Sequence, residues 1–292
     1  MKQDKEEKEQ APAEASEEEL AEVVEPEALE LKEEEVVPEV TKLTEALEEW
    51  KPKTLLGKRV RSGEITSIDE VLASPHKLLE PEIVDMLLPN LEVELLLIGQ
   101  AKGKFGGGQR RIFKQTQKKT AEGNVPSFAT MAAVGNKDGY VGLGMASSKE
   151  TVPARNKAIR LAKLNIIKVL RGCGSWECGC GTPHSIPFKV TGKCGSVEIT
   201  LIPAPKGTGL CVERECQKLL RLAGIRDVWS QTKGQTKTKT NLIKACFDAL
   251  SKLLECKIPE KTRATLSIVE GATQRVEQNT SDVENDRKKA SS

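Results

Sequence analysis

The chain has 292 residues, of which 38% are apolar and 30% charged, a balance that indicates one or two domains with modest cores and polar flanks. Aromatic residues make up only 3%, which argues against a base-stacking platform rich in Phe and Tyr. The net charge of +2 hides an asymmetry. Residues 1–50 hold five lysines and 19 acids, for a net charge of −14, whereas residues 51–292 hold 40 cations and 24 acids, for +16. This asymmetry is typical of a polyanion-binding body with an acidic extension.

The beginning of the chain predicts no export or membrane anchor. Residues 1–10 are charged and lack the apolar core of a signal peptide. No apolar run approaches the ~18–20 residues that cross a bilayer. The Glu-rich residues 1–50, interrupted by prolines, are predicted to form a disordered acidic tail. We therefore expect a cytosolic protein.

Residues 51–90 are predicted to form a helical connecting arm. The sequence Ser67-Ile68-Asp69-Glu70 is a capping-box pattern that opens one short helix, and a second follows Pro81. These helices carry no recognisable chemistry, and the pattern favours a packing role for them.

Residues 91–171 are predicted to form a compact α/β unit. Strands are expected at Val93–Ile98, Phe128–Val134 and Tyr140–Met145, with Asp138-Gly139 as the turn of a hairpin. A helix is expected from Thr151 to Leu170, where apolar residues recur at helical spacing.

Residues 172–256 are predicted to form a second α/β unit. Strands are expected at Ser185–Val190 and Val197–Ile202, joined through Thr191-Gly192, with helices at Cys211–Ala223 and Asn241–Leu254. Residues 257–292 are polar and are predicted to be a disordered tail.

A basic, glycine-rich loop at residues 102–111 is the most informative local feature. Glycines let the backbone approach phosphates closely while neighbouring cations neutralise them, and lysines continue the basic run to residue 119. A flexible, solvated hairpin tip is the alternative. The spacing of the phosphate-binding loop of nucleotide hydrolases is absent.

The cysteines leave a metal site open. Five potential ligands lie close together in the sequence: Cys173, Cys178, Cys180, His184 and Cys194. Their spacing is not that of a paired zinc knuckle. Reduced thiols in a glycine-rich loop are the favoured interpretation, so no metal or other cofactor is predicted. The other cysteines are expected to act as small apolar residues.

Catalysis has little support in the pattern. The two histidines, His76 and His184, belong to no Ser/His/Asp or Cys/His motif. Cys180 with His184 could form a nucleophile pair, but the sequence suggests no orienting carboxylate or oxyanion hole. The sequence therefore predicts a protein without enzymatic activity or a small-molecule substrate.

Long stretches of the chain resemble the archaeal form of the fifth small-subunit ribosomal protein. They include GNKDGYVGLG (135–144), RGCGSWECGCGTPHSIPFKVTGKCGSV (171–197), LIPAPKGTGL (201–210) and LLRLAGIRDVWSQTKGQTKTKT (219–240). The arm at residues 63–92 is similar as well, so the resemblance covers about residues 50–256. It implies an α+β fold: a double-stranded-RNA-binding-like domain of αβββα type, then a two-layer α/β domain.

The resemblance also implies partners and a surface. The family packs on small-subunit rRNA beside ribosomal protein four and, with ribosomal protein twelve, supports accurate decoding in the cytoplasm. Lys206, Gly207 and Gly209 then belong to a loop before a helix N-terminus that could bind a phosphate. Residues 114–127 look inserted relative to the family's hairpin. The predicted RNA-binding residues are Lys102, Lys104, Gly107, Gly108, Arg110, Arg111, Lys114, Lys118, Lys119, Lys206, Lys233, Lys237 and Lys239.

Two other functions remain open at this stage. The C-terminal fold implied by the resemblance is similar to that of some small-molecule kinases, yet fold likeness does not carry function, and phosphate-binding and Mg²⁺ motifs are not visible. The other alternative is a regulator that binds double-stranded RNA away from the ribosome.

Overall fold

The computed structural model describes residues 50–100 and 110–272, so nearly all of the acidic tail lies outside the described residues. The connecting arm contains three short helices, α1 (Leu55–Arg61), α2 (Ile68–Ala73) and α3 (Glu82–Leu87). Thr54 caps α1, because its hydroxyl accepts the N–H of Gly57 at 3.0 Å. The carboxylate of Glu80 accepts the N–H of Lys53 and of Thr54, which fixes the start of the arm.

The capping-box pattern correctly predicts a helix that begins after Ser67, but the side-chain-to-backbone hydrogen bond of a capping box does not form there. The hydroxyl of Ser67 donates to the carboxylate of Glu70 at 2.7 Å and does not cap a backbone N–H. The Tyr140 hydroxyl donates to Asp69 at 2.8 Å, and Lys163 pairs with Asp85 at 2.7 Å. These contacts attach the arm to the first sheet and its helix.

The first sheet is antiparallel and contains β1 (Glu92–Leu96), β2 (Lys114–Thr120), β3 (Gly123–Gly135), β4 (Tyr140–Ser148) and β5 (Ile166–Lys168). The long β3 pairs with β2 through its first half and with β1 through its second half. The predicted hairpin is confirmed, since β3 and β4 join at residues 136–139. Lys137 and Gly139 have the positive φ values of a tight turn.

Helix α4 (Thr151–Leu164) packs on β3 and β4. The prediction that it continues to Leu170 is wrong, because Ile166–Lys168 pair with β4 as an edge strand. Asn165 ends the helix and donates from its side chain to the Leu143 carbonyl at 3.1 Å. The β-branched Ile166 and Ile167 suit the strand better than a helix.

The second sheet has the order β7 (Val190–Cys194), β8 (Val197–Pro203), β10 (Val228–Lys233) and β9 (Leu210–Cys211). The strand predicted at Val197–Ile202 is confirmed as β8. The strand predicted at Ser185–Val190 is wrong, because the strand begins only at Val190. Pro187 interrupts that stretch, and the chain reverses at Gly195, which has φ +62°. Gly192 lies inside β7, where a Cβ would sit 2.0 Å from the Ala245 carbonyl oxygen, so helix and sheet approach closely there.

Helices α5 (Arg214–Leu222) and α6 (Lys239–Lys252), the latter followed by a 3₁₀ turn at Leu253–Glu255, supply apolar faces to the core. α5 begins later than predicted because Leu210–Cys211 pair in parallel with β10. It contacts β3 as well as α6, and residues of both sheets form one apolar cluster. The domain boundary between residues 171 and 172 stays a prediction.

The first part of the predicted C-terminal tail is ordered. α7 (Glu260–Thr265) is followed by β11 (Val269–Glu270), which pairs with β6 (Leu170–Arg171). Burial of Ile268 and Val269 explains the difference, since two apolar side chains anchor a polar segment. Residues 273–292 lie outside the described part. None of the helices in the described ranges is long and apolar enough to span a bilayer.

Candidate nucleic-acid interface

A two-stranded ribbon forms where the sequence suggested an insertion. β2 pairs with the first half of β3 from Lys114 opposite Ala129 to Thr120 opposite Gly123. Every residue of β2 is exposed. A two-stranded ribbon without an apolar face is only marginally stable alone. Its exposed face is therefore suited to packing against a partner.

The ribbon carries cations along its length. Lys114 and Lys118 point to one face and Lys119 to the other, because side chains alternate along a strand. Arg111 at its base is exposed, and Arg110 is half-buried. The Arg111 carbonyl accepts the N–H of Gly99 at 2.8 Å, which fixes the base of the ribbon to the sheet. The four other residues predicted in this region, Lys102, Lys104, Gly107 and Gly108, lie outside the described residues.

The loop that carries Lys206 is built differently from the prediction. The N–H groups of Gly207 and Gly209 donate to the Asp227 carboxylate at 3.1 and 2.8 Å. These amides are therefore already satisfied. The loop leads into strand β9 and not directly into a helix. Lys206 itself is exposed.

The N-terminus of α5 carries an acidic cap. The Glu213 carboxylate accepts the N–H of Glu215 at 3.0 Å, so an acidic side chain already caps the helix. Phosphate binding at this helix N-terminus therefore has less support from the structure than from the sequence, and it stays a prediction. Lys206 remains available to contact a phosphate directly.

A basic groove next to this loop was not predicted. Its volume is about 770 Å³, enough for a nucleotide-sized group. The cations that line it are Lys137, Arg171, Lys206, Arg221 and Arg226. Lys137 pairs with Glu92, and Arg171 pairs with Asp138 at 2.5 Å.

The remaining cations of the groove are available to a ligand. Within residues 50–100 and 110–272, no ion pair joins Lys206, Arg221 or Arg226 to an acid, and all three are exposed. Arg221 and Arg226 lie on either side of Gly224, which has φ +81° and ends helix α5. Two arginines on either side of a glycine that ends a helix are the feature of the sequence that could have indicated these cations of the groove.

The predicted cationic segment with Lys233, Lys237 and Lys239 is only partly available to an anionic partner, because one of the three lysines forms an ion pair. Lys233 ends β10 and Lys237 lies in the following loop, both exposed. Lys239, the first residue of α6, instead forms an ion pair with Glu213. Of the three predicted lysines, two remain available for an anionic partner.

The structure also gathers four of the five candidate metal ligands. One ligand atom each from Cys173, Cys178, Cys180 and His184 lies within 4.8 Å of the others. Cys194 lies on β7, outside this group. Burial raises the pKa of the Cys173 thiol to about 11, and a hydrogen bond from the Thr182 hydroxyl lowers the pKa of Cys180 to about 6. This group is the part of the described chain that could hold a metal ion.

Comparisons with known proteins agree with the resemblance seen in the sequence. The model for "Ribosomal protein S5, N-terminal domain" matches residues 112–170, and that for "Ribosomal protein S5, C-terminal domain" matches residues 192–263. The small ribosomal subunit protein uS5 of Nanoarchaeum equitans is 54% identical over 73% of this chain and 91% of its own length.

Two further relatives carry the same name. The protein of Methanocaldococcus jannaschii is 48% identical over 77% of this chain and 97% of its own length. The protein of Thermofilum pendens is 50% identical over 73% of this chain and 98% of its own length. With matches of this extent in both halves of the described fold, the chain belongs to the uS5 family of small ribosomal subunit proteins.

Proposed function

We propose that this protein is a structural constituent of the small ribosomal subunit that binds rRNA and has no enzymatic role. The observation that carries the proposal is the exposed cationic ribbon β2–β3, which lacks an apolar face of its own. Arg111, Lys114, Lys118 and Lys119 are exposed on it, and the single acid in this stretch is Glu122. Such a ribbon can follow a phosphate backbone and neutralise it.

The basic groove adds a second contact region. Lys206, Arg221 and Arg226 come from two loops and a helix end, so the groove presents a fixed three-dimensional pattern of charge. Recognition of folded RNA relies largely on shape and phosphate position. A rigid basic groove beside a protruding ribbon is suited to that kind of recognition, and it needs few aromatic side chains.

The finer description of the fold belongs to the same proposal. The first sheet with α4 on one side is compatible with a double-stranded-RNA-binding-like domain. The second sheet, covered by α6, is compatible with the two-layer α/β domain that the family resemblance implies. We further infer contacts with ribosomal proteins four and twelve, and through them a role in decoding accuracy.

Sedimentation of cell extract tests the proposal. At low salt and at moderate salt, the protein should migrate with small ribosomal subunits, and crosslinking should join the ribbon lysines to small-subunit rRNA. Treatment of the extract with ribonuclease should release it. A protein that stays in the soluble fraction at both salt concentrations, or that keeps its position after ribonuclease, would contradict an rRNA-binding role.

A further inference from the structure

Three sulfur atoms and one imidazole nitrogen lie within 4.8 Å of one another beside the basic groove, and two of the distances between them already match a tetrahedral zinc site. The Sγ atoms of Cys173 and Cys180 are 3.6 Å apart, and the Sγ of Cys178 is 3.7 Å from the Nε2 of His184. A tetrahedral zinc ion with Zn–S bonds of ~2.3 Å and a Zn–N bond of ~2.0 Å separates its ligand atoms by about 3.5–3.8 Å. We propose that Cys173, Cys178, Cys180 and His184 bind one structural zinc ion.

The three thiolates and one imidazole indicate both which metal binds and that its role is structural. Thiolate and imidazole ligands favour zinc over magnesium or calcium, which prefer oxygen. Four protein ligands fill the tetrahedron, so the ion has no open position for a reacting molecule. With three thiolates and one neutral imidazole as ligands, the zinc complex has a net charge of −1. Cys173 and His184 are buried while Cys180 is exposed, so the ion enters from the side of Cys180.

The residues around the ligands fit this role. The Nδ1 of His184 donates to the buried Asp227 carboxylate at 2.8 Å, which leaves Nε2 with its lone pair directed at the sulfur atoms. The other carboxylate oxygen of Asp227 holds the N–H groups of Gly207 and Gly209. The zinc ion would thus connect the loop at 173–184 with the loop that carries Lys206.

The chain around the ligands is also shaped for close packing. A Cβ at Gly174 would lie 2.0 Å from the carbonyl oxygen of Pro187, and Gly181 has φ +65°. Glycine at these two positions lets the loop fold back so that residues 173 and 180 meet. The irregular spacing of the cysteines in the sequence therefore says little about their spacing in the fold.

Two other uses of these thiols fit less well. A Cys173–Cys180 disulfide needs its sulfur atoms to move from 3.6 Å to about 2.05 Å and leaves Cys178 and His184 without a role. Cys178, His184 and Asp227 have the order of a thiol-protease triad. A nucleophile needs one accessible thiolate, however, and here three sulfur atoms surround the same imidazole.

Metal analysis of the full chain tests the proposal. Protein made in zinc-supplemented cells and purified under reducing conditions should contain one zinc ion per chain. Replacement of zinc by cobalt(II) should give the intense absorption of a tetrahedral site with three thiolates. Cys180→Ser, at an exposed position, should lose the stoichiometric zinc. The matched control, Cys194→Ser, removes a nearby cysteine outside the cluster and should keep it.

Several results would overturn the proposal. The wild-type protein could contain no zinc, or Cys180→Ser could contain as much zinc as the wild type. Loss of zinc from Cys194→Ser would also contradict the assignment of the four ligands. If Cys180→Ser does not fold, a chelator titration of the wild-type chain decides the question. Release of one zinc together with a lower melting temperature supports a structural site, whereas a chelator that releases none and leaves the melting temperature unchanged refutes it.

Discussion

The Asp227 carboxylate lies 2.8 Å from the imidazole of His184, and both side chains are almost fully buried, with 6% and 5% of their surface exposed. The second oxygen of the same carboxylate accepts the N–H groups of Gly207 and Gly209. One side chain on the segment before β10 therefore connects the cysteine cluster to the loop that carries Lys206. Satisfied buried networks of this kind hold loops in a single arrangement.

Removal of the Asp227 carboxylate should be strongly destabilising. Asp227→Ala leaves the His184 Nδ1–H and two backbone N–H groups without an acceptor, at a cost of about 2–4 kcal/mol in the free energy of unfolding. Urea denaturation measures the loss. The surface control Glu122→Ala, at the tip of the ribbon, should stay within about 0.5 kcal/mol of wild type. Equal stability of the two variants would show that the Asp227 network is not structural.

Arg221 and Arg226 should be RNA ligands. We expect the double variant Arg221→Ala/Arg226→Ala to lose at least tenfold in affinity for a small-subunit rRNA transcript, because charge-assisted contacts contribute about 1.5–3 kcal/mol each. Its fold should be unchanged, since both side chains are exposed. Filter binding measures the affinity. Lys244→Ala, at an exposed lysine of α6 outside the groove, is the control. A similar loss of affinity in this variant would show that the groove contributes no more than any other cationic surface.

The ribbon should contribute mainly a salt-dependent part of the affinity. Replacing Lys114, Lys118 and Lys119 by alanine removes up to three phosphate contacts. The slope of log affinity against log salt concentration should then fall by about 2–3 units, since each contact contributes about 0.7–0.9. The circular dichroism spectrum should not change, because all of β2 is exposed. An unchanged slope would indicate that the ribbon faces away from the RNA.

Local features of the fold were predictable because the signals that encode them are local. The Asp138-Gly139 turn and the alternation in Val197–Ile202 gave a correct hairpin and a correct strand. The end of α4 was missed, because the pairing of Ile166–Lys168 with β4 depends on a partner 24 or more residues away in sequence. Helical spacing alone does not reveal such a competing strand.

The candidate site can be proposed from the sequence where its cations are neighbours in the chain, but not where the fold brings distant segments together. The lysines of β2 follow one another, so the sequence alone proposes them as RNA contacts, and the structure shows that they are exposed. The groove brings Lys137, Lys206 and Arg226 together from three segments. In the same way, Asp227 is 43 residues from His184, so its role as an orienting carboxylate was invisible in the pattern.

The two helix cysteines should be inert. The hydrogen bond between Cys216 and Cys246 and the burial of Cys216 raise the pKa of the Cys216 thiol far above its usual value. The thiolate is the reactive form, so a raised pKa suppresses alkylation at neutral pH. In the native protein, iodoacetamide should label the exposed Cys211 and Cys256. Mass spectrometry of the peptides should find Cys216 and Cys246 modified only after denaturation; rapid native labelling would contradict their burial.

Gly144 should be needed for the contact between the first sheet and α4. A Cβ at this position would lie 2.3 Å from both the Ala158 carbonyl oxygen and the Ala162 nitrogen, so the helix must move away from β4. Gly144→Ala should therefore lower the free energy of unfolding by about 2–3 kcal/mol or more, as overpacking does in other cores. Gly179→Ala is the control, because its Cβ would meet no atom within 4 Å. Chemical denaturation compares the two variants, and a loss below about 0.5 kcal/mol for Gly144→Ala would mean that the sheet and helix can separate without cost.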